Sequence, residues 1–206
     1  MVDRDGTAVT APPGHGLVLA HLRAATRPSH DAIEGALGLL DEGLDLDAYR
    51  LVLRRFYGFW RGWEPQVAHL LRDEALSGPR RRVHLLAADL AALGVSGPAL
   101  DALPSCPLTI LRDGAEALGS LYVMEGSTLG GRVIQRNVER CLGDQGRASC
   151  SYFNGYGGQT GAMWRLFLAR LDEAPAADAE RIGHGAAATF ERLGWWLPRG
   201  ETDSAR

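Results

Sequence analysis

Between Leu118 and Leu142 the chain reads LGSLYVMEGSTLGGRVIQRNVERCL, a helical apolar pattern interrupted by glycine. Leu118, Leu121, Tyr122, Met124, Leu129, Val133, Ile134, Val138 and Leu142 approximate the spacing of a helix packed in a core. Gly119, Gly126, Gly130 and Gly131 sit among them, and each interior glycine costs about 0.5–1 kcal/mol relative to alanine. Gly119, Gly126 and Gly130, spaced seven and four apart, share one helix face. A helix that gives up side chains on one face lets something bulky lie against its backbone. That is another helix or a flat ligand, and this pattern alone leaves both open.

At 206 residues the chain is long enough for one sizeable core and short for two domains. No stretch approaches the ~20 uninterrupted apolar residues of a membrane span, and no signal-peptide apolar region opens the chain. The expectation is a cytoplasmic protein with no membrane partner. Cys106, Cys141 and Cys150 are odd in number and lack CxxC spacing, so neither a disulfide framework nor a zinc site is indicated. A net charge of −3 gives no reason to expect a nucleic-acid partner. All 22 basic residues are arginine, so any anion site must use that residue.

Most of the chain reads as helix. Residues 1–16, with Ala11-Pro12-Pro13-Gly14, read as a mobile arm, and residues 198–206 as a tail. Helix is expected from Leu17 to about Leu40, with Pro28 inside it, and from Asp47 to Arg72 as a long amphipathic segment bent at Pro65. Pro79 suits the first turn of a shorter helix through Leu93. A connection over Gly94–Pro107 precedes the glycine-bearing helix, for which Asp113 is a candidate start. A loop over Gly143–Gly158 leads to helices at Thr160–Leu171 and Ala176–Leu197. No βαβ alternation and no repeat interrupts this order, so the expected architecture is all-α, one domain over 17–197.

Six histidines are candidates for chemistry: His15, His21, His30, His69, His84 and His184. A lone helical histidine is more often a surface or satisfied core residue than a ligand. His30 differs in its neighbours. Glu34, one turn on, is placed to accept the Nδ1 proton and leave Nε2 for a metal. Arg23, seven residues back, lies about 10 Å along the same face. That offset suits a flat metal-bearing ligand with a carboxylate edge, although on these residues alone the bland reading wins.

The two segments together change the balance. RAATRPSHDAIEGAL (23–37) and LGSLYVMEGSTLGGRVI (118–134) resemble the proximal and distal helices of haem oxygenases, and most resemble the bacterial type that accompanies bacteriophytochromes. Tyr152-Phe153-Asn154-Gly155-Tyr156-Gly157, Met163-Trp164-Arg165-Leu166-Phe167, Thr189-Phe190 and Trp195-Trp196 also look like that subfamily. The resemblance covers roughly residues 17–197, and the L-Y-V-M-E-G-S-T-L-G-G string is its most specific part.

The resemblance implies haem held between a proximal and a distal helix, as both cofactor and substrate. It implies conversion to biliverdin with release of iron and CO, using O2 and electrons from a ferredoxin-type or other reductant. The implied partners are haem, an electron-donor protein and a bacteriophytochrome that receives the biliverdin. Carried over by position, His30 matches the proximal iron ligand, Arg23 a propionate partner and Glu34 a carboxylate beside the proximal imidazole. Gly126, Gly130 and Gly131 match distal glycines whose backbone approaches the gas-binding face of the iron, and Thr128 a haem-contacting position. Arg165 matches a second propionate partner, with Arg170 as its rival.

Many haem oxygenases carry an aspartate directly after the first distal glycine, where it organises a water chain that delivers protons. Here that position is Ser127, which can hold a water but cannot hold charge as a carboxylate does. A catalytically weak haem-binding or haem-transfer protein on the same fold is therefore the alternative. A helical scaffold or di-iron enzyme ranks lower, because its typical Glu-x-x-His spacing is absent.

Overall fold

The computed structural model describes residues 38–107 and 111–198, and before them residues 19, 22, 26, 28–30, 32, 33 and 35–37. The arm expected over 1–16, the candidate residues Arg23 and Glu34, and the tail beyond Pro198 lie outside the described residues. Every described residue from 19 to 37 is helical, and this stretch is α1. It is followed by α2 (Leu46–Leu71), α3 (Glu74–Ser77), α4 (Val83–Ala92), α5 (Pro98–Asp101) and α6 (Gly114–Ser127). Helices α7 (Gly131–Ala148), α8 (Ser151–Asn154), α9 (Thr160–Asp172) and α10 (Ala179–Trp196) complete the set, and no strand occurs among the described residues.

Asp45 starts α2 by accepting the Ala48 N–H at 2.8 Å, and the helix continues through Pro65 to a left-handed cap at Arg72. Its apolar stripe faces inward: Tyr49, Val52, Leu53, Phe59, Trp60, Trp63 and Val67 are buried, and Phe56 and Leu70 are partly so. Asp113 caps α6, accepting from Ala115 N at 2.9 Å and Glu116 N at 3.0 Å. From Glu116 to Glu125 every residue of α6 is buried, so this helix is the centre of the molecule and is apolar on nearly all sides.

Four expectations are corrected. The segment Leu118–Leu142 is two helices rather than one, because α6 ends at Ser127 and α7 begins at Gly131. Ser127 Oγ donates to Met124 O and Thr128 Oγ1 to Glu125 O, both at 2.7 Å, so the last carbonyls of α6 are taken by side chains. Leu129 and Val133 consequently leave the core, at 49% and 55% exposure. Pro79 sits in a 3-10 turn (Gly78–Arg80), and α4 opens only at Val83. There Glu64 of α2 accepts the Arg82 and Val83 N–H groups, doing from another helix what a local cap residue would do. The expected loop over Gly143–Gly158 holds the end of α7, with Gly143 at φ 58°, and then α8. The Gly94–Pro107 connection contains α5.

Helices α6 and α10 cross at backbone contact. A Cβ added to Gly119 would lie 1.8 Å from Ile182 O, and one added to Gly185 would lie 2.0 Å from Glu116 O. Ser120 fastens the same crossing to α2: Trp63 Nε1 donates to its Oγ at 2.8 Å, and Thr189 Oγ1 lies 2.6 Å away on the other side.

Glu116, fully buried, gives α6 an acid-sensitive anchor. Burial alone would raise its pKa, but the Arg112 guanidinium (Nε to Oε1, 2.7 Å), the Arg112 backbone N–H and His184 hold it below the usual carboxylate range. A lowered folded pKa contributes stability that is present above the unfolded value, about 4.3, and lost as pH falls through the folded one. Glu116→Gln should therefore lower the melting temperature at neutral pH. The gap to the parent should close as the pH drops below about 4, which thermal melts across that range would check.

Candidate functional site

One cavity gathers the candidate residues. Its empty space, about 810 Å³, includes the open solvent at its mouth. His30, Ile33 and Leu37 line it from α1, Phe190 and Leu193 from α10, and Phe56 and Trp60 from α2. Val123, Met124 and Ser127 of α6, Thr128, Gly131 and Ile134 at the α6–α7 corner, and Tyr152 and Phe153 of α8 complete the walls together with Leu39, Leu197 and Arg82. The walls are overwhelmingly apolar, and a few polar groups punctuate them.

Each group is placed by an identifiable contact. His30 meets Phe190 edge-on, ring centroids 6.4 Å apart. The fully buried Asp89 of α4 accepts the Ser151 and Tyr152 N–H groups, both at 2.8 Å, so it caps α8 and fixes the two aromatic residues that α8 sends to the wall. Tyr152 in turn receives a hydrogen bond from Trp60 Nε1 at 2.9 Å, and burial pushes its phenol up to about 12, so it stays protonated. Asn137 of α7 donates to Leu39 O at 2.9 Å and Asp41 O at 3.0 Å, tying the chain after α1 to the α7 wall. A Cβ on Gly131 would fall 2.2 Å from Phe153 O, so this glycine lets α7 press against α8.

An apolar slot between helices, with His30 in its wall, fits a flat ligand that takes one nitrogen. The sequence profile of the family described as Heme oxygenase matches residues 17–198. The chain belongs to the haem oxygenase family. A curated relative from Xanthomonas campestris pv. campestris (strain 8004), named "Heme oxygenase", is 37% identical over 152 residues, 71% of this chain and 87% of the relative. The crystal structure of heme oxygenase 2 from Chlamydomonas reinhardtii without heme shares the fold, with a TM-score of 0.69 over 87% of this chain and 95% of that one, at 16% identity. As a haem oxygenase the chain is an enzyme that degrades haem, its substrate.

The cavity brings together His30, Ser127, Thr128 and Gly131. Gly126 and Gly130 stand beside that wall in sequence but outside the lining, and a Cβ on Gly126 would make ordinary contact, 3.8 Å, with Trp164 of α9. Arg165 is an exposed residue of α9 that does not line the cavity. Its rival Arg170 pairs instead with Asp73 at 3.5 Å and Glu173 at 3.4 Å. The hydroxyl protons of Ser127 and Thr128 are committed to the carbonyls of α6, so toward the cavity these side chains offer acceptor oxygens rather than donors.

The residue that sequence reasoning missed is Arg82. It lines the haem oxygenase cavity although it is only 3% exposed, and its guanidinium stacks 4.0 Å from the Tyr156 ring. The available signal was the Arg80-Arg81-Arg82 run, which looks like a solvated stretch. Only Arg81 behaves that way, pairing with Glu74 at 2.7 Å in the open. Arg80 is buried, donating to Leu76 O at 2.7 Å and facing Glu125 at 3.3 Å.

Proposed function

We propose that this haem oxygenase converts haem to biliverdin with release of iron and CO, using O2 and electrons from a ferredoxin-type or other reductant protein. We further propose that the biliverdin supplies a bacteriophytochrome. The observation that carries the reading is one apolar cavity walled by His30 of α1 and by Ser127, Thr128 and Gly131 at the α6–α7 corner. The residues fit the group: an imidazole that would ligate the iron, apolar walls for a porphyrin, and Gly131 in the wall at the α6–α7 corner.

Bound haem supplies the iron at which O2 is activated and the ring that is oxidised. The chain's own residues do the rest. His30 would ligate the iron, Glu34 would serve as the carboxylate partner of its imidazole, and Arg23 would pair with a propionate through a bidentate fork. Phe56, Trp60, Phe190 and Leu193 exclude bulk water. Gly131 and Thr128, both in the lining, would border the haem, and Gly126 and Gly130 flank that wall in sequence. The oxygen of Ser127 accepts a hydrogen bond from a pocket water, because its own proton is held by Met124 O. The protein works as one domain over 17–197.

The absence of a carboxylate at Ser127 supports the second reading, a haem-binding or haem-transfer protein with weak turnover. Absorbance does not separate the two, since both give a Soret band. Reducing the haem complex with ascorbate or a ferredoxin system and chromatographing the pigment does. Biliverdin within a single turnover is the expected result. Recovery of intact haem under the same reductant would leave the haem-carrying reading in its place.

A further inference from the structure

Arg82 is a buried cation that no described carboxylate hydrogen-bonds; the Glu125 carboxylate acts on it only through space, and Arg80 shares that carboxylate. The Glu64 carboxylate beside it accepts from the backbone N–H groups of Arg82 and Val83. Glu125 accepts the Tyr156 hydroxyl at 2.7 Å and faces Arg80. The Arg82 guanidinium is left with the face of Tyr156, and its Nη2 has no hydrogen-bond partner. Gly155, at φ 56°, makes room for it: a Cβ there would stand 3.1 Å from Arg82 Nη1. Buried donors are nearly always paired, and an unmet donor on a charged group is costly to bury. An arginine cannot relieve that cost by losing its proton.

We propose that Arg82 is the cavity's anion-recognising group, giving a charge-assisted hydrogen bond to a small anion, or to an atom carrying negative charge, bound beside it in the haem pocket. This inference rests on the haem-oxidising reading above. Ser127 and Thr128 present acceptors, and the Trp60 indole N–H is taken up by Tyr152. Arg82 is thus a positively charged donor in a wall whose distal corner lacks the usual carboxylate. It holds and stabilises; it does not itself deliver a proton.

The test uses the ferric haem complex of the full chain, titrated by absorbance with fluoride, a small anion, and with imidazole, a neutral ligand. Arg82→Gln is expected to weaken fluoride binding roughly ten- to a hundredfold and to change imidazole affinity less than about threefold. Arg82→Lys, the variant that disturbs the fold least, should fall between parent and Arg82→Gln for fluoride, because an ammonium keeps the charge and loses the planar fork. If Arg82→Gln does not fold, the same two titrations on Arg82→Lys decide. Fluoride affinity equal to the parent's, or fluoride and imidazole weakening together, would overturn the proposal. A parent chain that forms no haem complex at all would overturn the haem-oxidising reading and this inference with it, whereas a parent that turns over haem while its variants keep full fluoride affinity overturns this inference alone.

Discussion

His30→Ala is expected to abolish the histidine-ligated ferrous spectrum of the haem complex and to slow haem degradation more than about a hundredfold, equivalent to about 2.7 kcal/mol in the barrier. Among the described residues His30 is the one histidine lining the cavity. The substitution leaves a space beside Phe190 the size of an imidazole ring. Added imidazole should therefore restore part of the spectrum and part of the turnover, a rescue that loss of a merely structural histidine would not allow. An unchanged spectrum in His30→Ala would remove it as the ligand.

The second large effect separates the glycines from one another. Gly119→Ala should lower the stability of the haem-free protein by about 3 kcal/mol or more, because its Cβ would meet Ile182 O at 1.8 Å and the backbone of α10 cannot step aside. In a domain of this size that is a fall of roughly 6–12 °C in melting temperature. Gly126→Ala should do the opposite. Its Cβ meets only the far end of Trp164 at 3.8 Å, and alanine favours the helix, so stability should be unchanged or up to about 1 kcal/mol higher. Calorimetry on the two variants without haem checks the contrast. A large loss in Gly126→Ala would mean that this glycine also serves packing.

The helical architecture and its central segment were legible because they rest on local signals: the apolar stripe of α2, the Asp113 cap, the resemblance of the two helix strings. What escaped depends on distant partners. The break at Thr128–Gly130 follows from two hydroxyls turning back onto their own helix, which the apolar spacing through Leu129 and Val133 conceals. The run of glycines looked like one surface. In space Gly119 serves α10, Gly131 serves α8, and Gly126 faces α9, because the chain turns between them. Arg82 stands in an arginine run with no local signal for burial, and its place depends on Glu64 and Tyr156, 18 and 74 positions away in the numbering. A propionate partner among the arginines is hard to read from sequence for the same reason.

The α6–α10 crossing has a mechanical meaning for the cavity. Val123 follows Gly119 by four residues and Phe190 follows Gly185 by five, so the lining begins about 6–8 Å along each helix from where the two backbones touch. Main chain against main chain is a spacer that does not compress and has no rotamers. It acts as a gauge block for the slot. Exchanging Val123 or Phe190 for another apolar residue would reshape the surface that meets the porphyrin but leave the distance between the helices where the two glycines set it. The lining is in this sense interchangeable trim on a fixed frame, and the ligand's outline can be tuned by side chains without the fold having to be solved again.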